Sequence, residues 1–335
     1  MVKIAETETL SRETLLDFYR QMVLIRRFEE TAAEMYTRRK IGGFLHLYVG
    51  EEAVAVGAVG SLQPNDYIVS HYREHGHALA RGLEPERVMA ELYGKQTGVS
   101  HGKGGSMHLY DKTRAFLGGY AIVAGHLPIA VGLGFASAYL NEQRVCVAFF
   151  GDGAVAEGEF HESLNLAALW KSPVIFICEN NLYGMGVPLA RENAVTEIYR
   201  MADAYNITAE QVDGMDVLAV YDATRRAAEH ARSGRGPYFL EALTYRYRGH
   251  SMADPELYRE KEEVARWRER DPINALARRL IEQGSGADEL KEIEQDVERV
   301  IEAAVRFADE SPEPPPEALY EDVYAPAPDE VGRRQ

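Results

Sequence analysis

The sequence contains no apolar run approaching the roughly 18 uninterrupted residues of a membrane-spanning helix, so no bilayer span is expected. Cysteine is almost missing: 335 residues hold only Cys146 and Cys178. Both fall inside continuous apolar stretches and read as small core residues, not as a disulfide or a thiolate metal pair. Basic charge is also in deficit. Against 53 Asp and Glu stand 37 Lys and Arg, a formal net charge of −16. Such a surface argues against nucleic acid and anionic membranes as partners. The deficit is uneven: 12 basic and 22 acidic residues follow from Pro255 onward, so −10 of the net lies there. Internal repeats are absent. The opening MVKIAETETLSRETLLDF is acidic, without an apolar signal core or an Arg-rich transit pattern, and the expected location is the cytoplasm. The G-x-x-x-x-G-K-[ST] template is missing, and no G-x-G-x-x-G follows an apolar run. His101 to Met107, reading HGKGGSM, has only the composition of a phosphate loop.

What is present is a strong α/β pattern. Hydrophobic residues make up 46% of the chain, enough for one large α/β domain. Val145 to Phe150 and Pro173 to Cys178 are continuous apolar runs, as expected of strands buried on both faces. Between them the sequence reads largely as one helix. A strand–helix–strand unit of this length makes the two strands parallel through a right-handed crossover. Further strands are expected at Tyr67–Ser70 and Tyr238–Leu243. Helices are expected over Thr14–Arg38, Ala53–Leu62, Glu84–Tyr93, Leu127–Leu140, Val195–Ala204 and Asp216–Ser233. Thr97 to Ala124, rich in glycine and without periodicity, reads as one long loop, which in a compact domain is functional or mobile. The expected architecture is a doubly wound parallel sheet with helices on both faces. Residues 1–254 form that α/β domain, and 255–335 form a charged helical and extended region packed on it or on a partner. In that region Leu290, Ile293, Val297, Val300, Ile301, Ala304 and Ala308 trace an apolar stripe.

The chemistry concentrates at strand ends. Gly151-Asp152-Gly153 closes the first apolar run and Glu179-Asn180-Asn181 closes the second. If the two strands are neighbours, Asp152 and Asn181 emerge at the carboxyl edge of the sheet, where open α/β sheets bind ligands. Singly, each tripeptide reads as an ordinary turn with an Asp cap or an Asn in the left-handed region. Together, a carboxylate and a neutral oxygen suit Mg²⁺, which takes few carboxylates and completes its octahedron with phosphate and water. The glycines allow close backbone approach, and the following helix offers its positive end to an anion. Tyr72-Arg73 and Arg246 also follow strand ends, and the guanidinium fork fits phosphate. His71, His75 and His77 invite a zinc reading, but the spacing is loose and no cysteine accompanies it.

The stretch GDGAVAEGEFHESLNLAALWKSPVIFICENN, running on into LYGMG, resembles the thiamin-diphosphate motif. From about Phe18 to about Tyr324 the chain is similar to the thiamin-diphosphate-dependent 2-oxo acid dehydrogenase family, on the side of alpha subunits of pyruvate decarboxylating components. The resemblance implies that Asp152, Asn181 and the Tyr183 carbonyl ligate Mg²⁺. It implies that Tyr72, Arg73, Gly151, Gly153, Ala154 and Arg246 hold thiamin diphosphate. Ala121, Ile122 and Val123 match the stretch that contacts the aminopyrimidine ring, with Val123 as an apolar wedge. Relatives commonly have glycine at Ala121, and Gln at Glu157, which is left out of the site because an acid there repels phosphate. His46 and His250 match histidines of the active-site channel and are the candidates for moving protons. Ser251 matches a position phosphorylated in some mitochondrial relatives, a regulation not expected here. The family passes its acyl product to a lipoyl-bearing acyltransferase. No Glu in the chain fits the carboxylate that activates the aminopyrimidine, and in two-subunit relatives a beta subunit supplies it. The expectation is therefore a half-site, two alpha with two beta subunits and the cofactor at each alpha–beta interface, acting on pyruvate; the alternatives are the alpha subunit of an acetoin or branched-chain 2-oxo acid dehydrogenase, or a non-catalytic assembly subunit.

Overall fold

The computed structural model describes residues 10–324. The N-terminal segment read above for targeting signals lies, through residue 9, outside the described residues. Helices α1 (Arg12–Thr37) and α2 (Glu52–Gly60) precede strand β1 (Tyr67–His71). Helices α3 (His75–Ala80) and α4 (Pro85–Leu92) lead to β2 (Phe116–Tyr120). Then come α5 (Leu127–Tyr139), β3 (Cys146–Gly151), α6 (Gly158–Trp170) and β4 (Val174–Asn180). A two-residue ladder, β5 (Tyr183–Gly184) and β6 (Val187–Pro188), precedes α7 (Leu189–Glu192), β7 (Thr208–Asp213), α8 (Val217–His230) and β8 (Tyr238–Leu243). Helices α9 (Lys261–Arg268), α10 (Pro272–Glu282) and α11 (Ala287–Glu310) complete the chain.

Six strands form one sheet in the order β2-β1-β3-β4-β8-β7, every pair parallel. The pleat divides each central strand between two cores. Val147, Phe149, Ile175 and Ile177 face a core shared with α1, α2, α8 and α11. Cys146, Ala148, Phe150, Phe176 and Cys178 face a second core with α5 and α6. The sheet is thus covered on both faces, which is why its strands read as unbroken apolar runs.

Strand order reverses between β1 and β3: the chain leaves β1 for β2 on one side and leaves β3 for β4 on the other. At such a switch point the two connections diverge over opposite faces and leave a crevice at the carboxyl ends. Register fixes which residues border it. Gly151 pairs with Glu179, so Asp152 and the Asn180-Asn181 pair leave adjacent strands together.

Several elements differ from the sequence reading. β2 lies inside the supposed long loop, and β7 was not foreseen. Phe116–Tyr120 carries two glycines, and Thr208–Asp213 sits at the sheet edge with mostly exposed or half-exposed residues, so neither shows a buried-strand pattern. Residues 198–205 form a 3₁₀ turn run, not an α-helix starting at Val195. The sequence reading also lacked α9 and α10. On α11, Val300 is 40% exposed and lies off the buried stripe, whereas Val297 and Ile301 are buried, because a 3.6-residue period carries position 300 around the helix.

Candidate active site

A cavity of about 900 Å³ opens at the switch point. Its wall is built from four strand ends: His71-Tyr72-Arg73 after β1, Gly151-Asp152-Gly153-Ala154 after β3, Glu179 and Asn181 from β4, and Arg246 beyond β8. His46, Ala121, Val123, Tyr183 and His250 join them. Of the residues expected to hold the metal or cofactor or to move protons, Ile122 alone does not line the cavity; it is 74% exposed. Glu157 borders the cavity and is exposed.

The local backbone differs in one respect from expectation. Gly151 has φ −85°, and Gly153 is not in the left-handed region. The chain passes directly into a 3₁₀ turn over Asp152–Ala156, and α6 begins only at Gly158. Closeness, rather than positive φ, explains Gly153, since a Cβ there would lie 3.2 Å from the Cα of Gly184. The left-handed residue of the β4 turn is Leu182 at φ 74°, not an asparagine. A bulky residue held there is local strain of the kind that gathers at functional sites.

Charge in the cavity is dense and incompletely paired. Asp152 is 1% exposed and its Oδ2 has no hydrogen-bond partner. Burial pushes its carboxyl up to about 7, against the opposing pull of Arg246. Arg73 and Arg246 are 3% and 2% exposed. Arg73 donates to the carbonyls of Leu47 at 2.8 Å and His250 at 2.9 Å. Arg246 donates to the carbonyls of Arg248 and Met185 and to the Tyr258 hydroxyl. Burial, and then the like charge of Arg246, lower the Arg73 guanidinium. Two buried cations at one cavity create a demand for an anion; an unpartnered carboxylate and an amide oxygen beside them create a demand for a hard cation. A metal-bridged diphosphate meets both demands.

The two histidines form a separate group at the cavity wall. The His46 ring lies 4.6 Å from Tyr72 and 5.1 Å from His250, centroid to centroid. The Nδ1 atoms of both are buried without a partner. Burial, then Arg73, drives His46 down to about 2 and His250 down to about 3. Both rings are therefore neutral at neutral pH, and each can offer a bound molecule a hydrogen-bond donor or acceptor, while burial and Arg73 oppose their taking up a proton.

His71, His77 and Glu179 do come together, their ligand-capable atoms all within 4.8 Å of one another. Hydrogen bonding argues against a metal there. The Arg73 amide donates to His71 Nδ1, so the proton sits on Nε2, which donates to Glu179 at 2.6 Å. A ring nitrogen carrying that proton cannot ligate. His77 Nε2 lies 3.0 Å from the same carboxylate, and the Tyr48 hydroxyl donates to it as well. Burial holds His71 below its ordinary range, so its contact with Glu179 is a hydrogen bond rather than an ion pair. Burial alone would raise Glu179; His77 and His71 outweigh it and hold that carboxyl well below its usual range. The network ties the end of β1 to the end of β4. His75 is elsewhere, against Glu29 and Ser106.

Sequence reasoning missed Glu51, Glu179 and Glu192 as cavity residues. A signal existed for the first: Glu51-Glu52 interrupts an otherwise apolar stretch from Leu47 to Val56, and both acids are buried. The HGKGGSM segment is also explained. The amides of Ser100, Gly102, Gly104 and Gly105 all donate to the Glu91 carboxylate. The loop is an anion nest, filled by the chain's own acid.

Comparison with known proteins follows this geometry. The profile of the family described as "Dehydrogenase E1 component" matches residues 20–317. Among curated proteins, "Pyruvate dehydrogenase E1 component subunit alpha" of Rhizobium meliloti (strain 1021) is 49% identical over 315 residues, covering 93% of this chain and 90% of the relative. The protein of the same description from Zymomonas mobilis subsp. mobilis is 47% identical over 314 residues, covering 93% and 89%. That from Rickettsia bellii is 44% identical over 324 residues, covering 96% and 99%.

Proposed function

The chain belongs to the dehydrogenase E1 component family, and from that premise we propose that it is the alpha subunit of a pyruvate dehydrogenase. It acts with thiamin diphosphate and Mg²⁺ in the oxidative decarboxylation of pyruvate, with acetyl transfer to a lipoyl carrier. The observation that carries the cofactor reading is the pairing of two buried guanidiniums with an orphaned buried carboxylate at one cavity. Asp152, the Asn181 side chain and the Tyr183 carbonyl would hold Mg²⁺. Tyr72, Arg73, Gly151, Gly153, Ala154 and Arg246 would hold the diphosphate. Ala121, Ile122 and Val123 would meet the aminopyrimidine side.

Bound thiamin diphosphate supplies the carbon nucleophile and the electron sink for loss of CO₂ from a 2-oxo acid. The chain's own residues bind and orient. Arg73 and Arg246 offset the diphosphate charge in a place where water cannot, which makes each contact stronger than at a surface. Asp152 is selected for cation binding by its desolvation: a neighbouring dication restores the charge that burial disfavours. Neutral His46 and His250 would orient a bound 2-oxo acid by hydrogen bonding, their Nδ1 atoms being otherwise unpartnered. The segment after β8 borders the cavity through Ser251, Asp254 and Tyr258. Asp254 there accepts from the His250 amide and the Tyr258 hydroxyl.

The partner reading is a beta subunit, two alpha with two beta, that supplies the carboxylate this chain lacks, and beyond it a lipoyl-bearing acyltransferase. It is supported by the alpha-subunit description of the relatives. An uncovered apolar face adds support: Ile129, Phe135, Tyr139 and Leu140 along and just beyond α5, with Leu169 and Trp170 at the end of α6, are all exposed. No helix among the described residues is long and apolar enough to cross a membrane. The cytoplasmic assignment is part of the proposal and is supported by Cys146 and Cys178 being free and buried. Titrating thiamin diphosphate with Mg²⁺ into the co-purified alpha–beta complex, then assaying pyruvate, acetoin and 3-methyl-2-oxobutanoate, tests the reading. Heat of binding and a preference for pyruvate are expected; absence of binding overturns it.

A further inference from the structure

Glu51 is one of the cavity carboxylates that the proposed function leaves without a role. It follows Gly50, whose φ is +104° and where a Cβ would stand 2.3 Å from the carbonyl oxygen of Tyr245. The turn is therefore pinned against the strand that leads to Arg246, and it sends the Glu51 side chain inward to 1% exposure. Glu51 Oε1 accepts from Asn181 Nδ2 at 3.0 Å. Its Oε2 is buried without a hydrogen bond, 3.8 Å from the Arg73 Nε.

A side-chain amide has donors at one end and an acceptor at the other, and a carboxyl oxygen that carries no proton, as Oε1 here, only accepts. Glu51 thus permits one orientation of Asn181, with Nδ2 toward itself and Oδ1 turned away. In that orientation Oδ1 has a single long contact, from the Tyr183 amide at 3.4 Å, and keeps a lone pair free. Without the carboxylate, that one weak contact is all that would separate the two flipped forms. A hard divalent cation takes oxygen and gains nothing from an NH₂ group. We propose that Glu51 is a positioning residue that locks the Asn181 amide so that its oxygen, not its nitrogen, serves the cation. The inference rests on the cation reading of Asn181 given above.

Two substitutions separate orientation from charge. Glu51→Gln loses the negative charge and still offers Asn181 Nδ2 an acceptor, but its own amide can also turn its NH₂ inward, so it loosens the lock; Glu51→Met fills the space and loses charge and acceptor together. The readout is Mg²⁺ affinity by calorimetry on the alpha–beta complex with saturating thiamin diphosphate. The unfolding midpoint in EDTA serves as a check that each variant folds. Loss of a group that orients a ligand weakens metal binding about 10- to 100-fold. Glu51→Met is expected to fall in that range, and Glu51→Gln between Glu51→Met and the parent. Parent-like affinity in Glu51→Met overturns the inference. So does equal weakening in both variants, which would make Glu51 a counter-ion of Arg73 only. A parent complex that binds no Mg²⁺ at all overturns the functional reading, and the inference with it.

Discussion

Asp152 shows how a single side chain acquires its chemistry from where it is buried. Replacing it with Asn keeps the shape and removes the charge a dication would compensate. Asp152→Asn is expected to abolish Mg²⁺-dependent cofactor binding in calorimetry, while the unfolding midpoint without metal stays equal or rises, since an uncompensated buried acid is removed. His126 gives a test that does not involve a ligand. Its Nε2 donates to the Phe149 carbonyl at 2.7 Å, and burial lowers it to about 3. The folded pKa is below the unfolded one, so the unfolded chain binds the extra proton first. The stability this neutral ring contributes is complete above about pH 6.5 and declines as pH falls toward 3, by about 2 kcal/mol at pH 5. Urea unfolding of His126→Gln between pH 7 and 5 should show a shallower decline than the parent; an identical slope would refute the assignment. The ionisable residues of the site were legible from the sequence where they followed an apolar run. Glu51 was not, because an acid beside another acid reads as surface until its neighbours are known, and Glu179, though it follows an apolar run, read as part of a turn.

Elements were legible in proportion to their burial. β3 and β4 showed themselves because both faces are covered, so their residues are apolar through Phe150 and Cys178. β2 and β7 did not, since glycine in one and an exposed edge in the other erase the pattern. The glycine-rich segment before β2 looked like a mobile loop or a phosphate loop. It is instead held by Glu91, and a Cβ at Gly98 would lie 2.2 Å from Glu91 Oε2. Four amide bonds to one buried carboxylate make Glu91→Ala costly, about 3 kcal/mol by charge-assisted bonds of this kind. Proteolysis confined to residues 97–115 should accelerate in that variant; unchanged cleavage would argue that the nest does not order the loop. On α11 the contrast is between adjacent positions. Ile301 is 2% and Val300 40% exposed, so Ile301→Ala is expected to cost about 3 kcal/mol in denaturant unfolding and Val300→Ala less than about 0.5.

At the scale of the molecule, α11 closes one face by packing on α1 and α4. The opposite face leaves Phe135 and Tyr139 of α5 in solvent. If that face docks the beta subunit, the double substitution Phe135→Asp and Tyr139→Asp should leave the alpha chain folded by circular dichroism. It should also abolish co-purification with beta; retained co-purification would place the interface elsewhere. The sequence by itself determined the alternation of buried strands and helices and the parallel sense of β3 and β4, whose pairing in the structure then brings Asp152 and Asn181 out at one sheet edge. The alternation and the parallel sense follow from hydrophobic periodicity and from the fixed hand of the crossover, which are local or nearly so. Only the tertiary structure decided which acids are buried, which histidine carries its proton on which nitrogen, and that Glu51 faces Asn181. Each of those depends on what a side chain meets from a distant segment, and desolvation and hydrogen-bond complementarity have no value until that neighbour is in place.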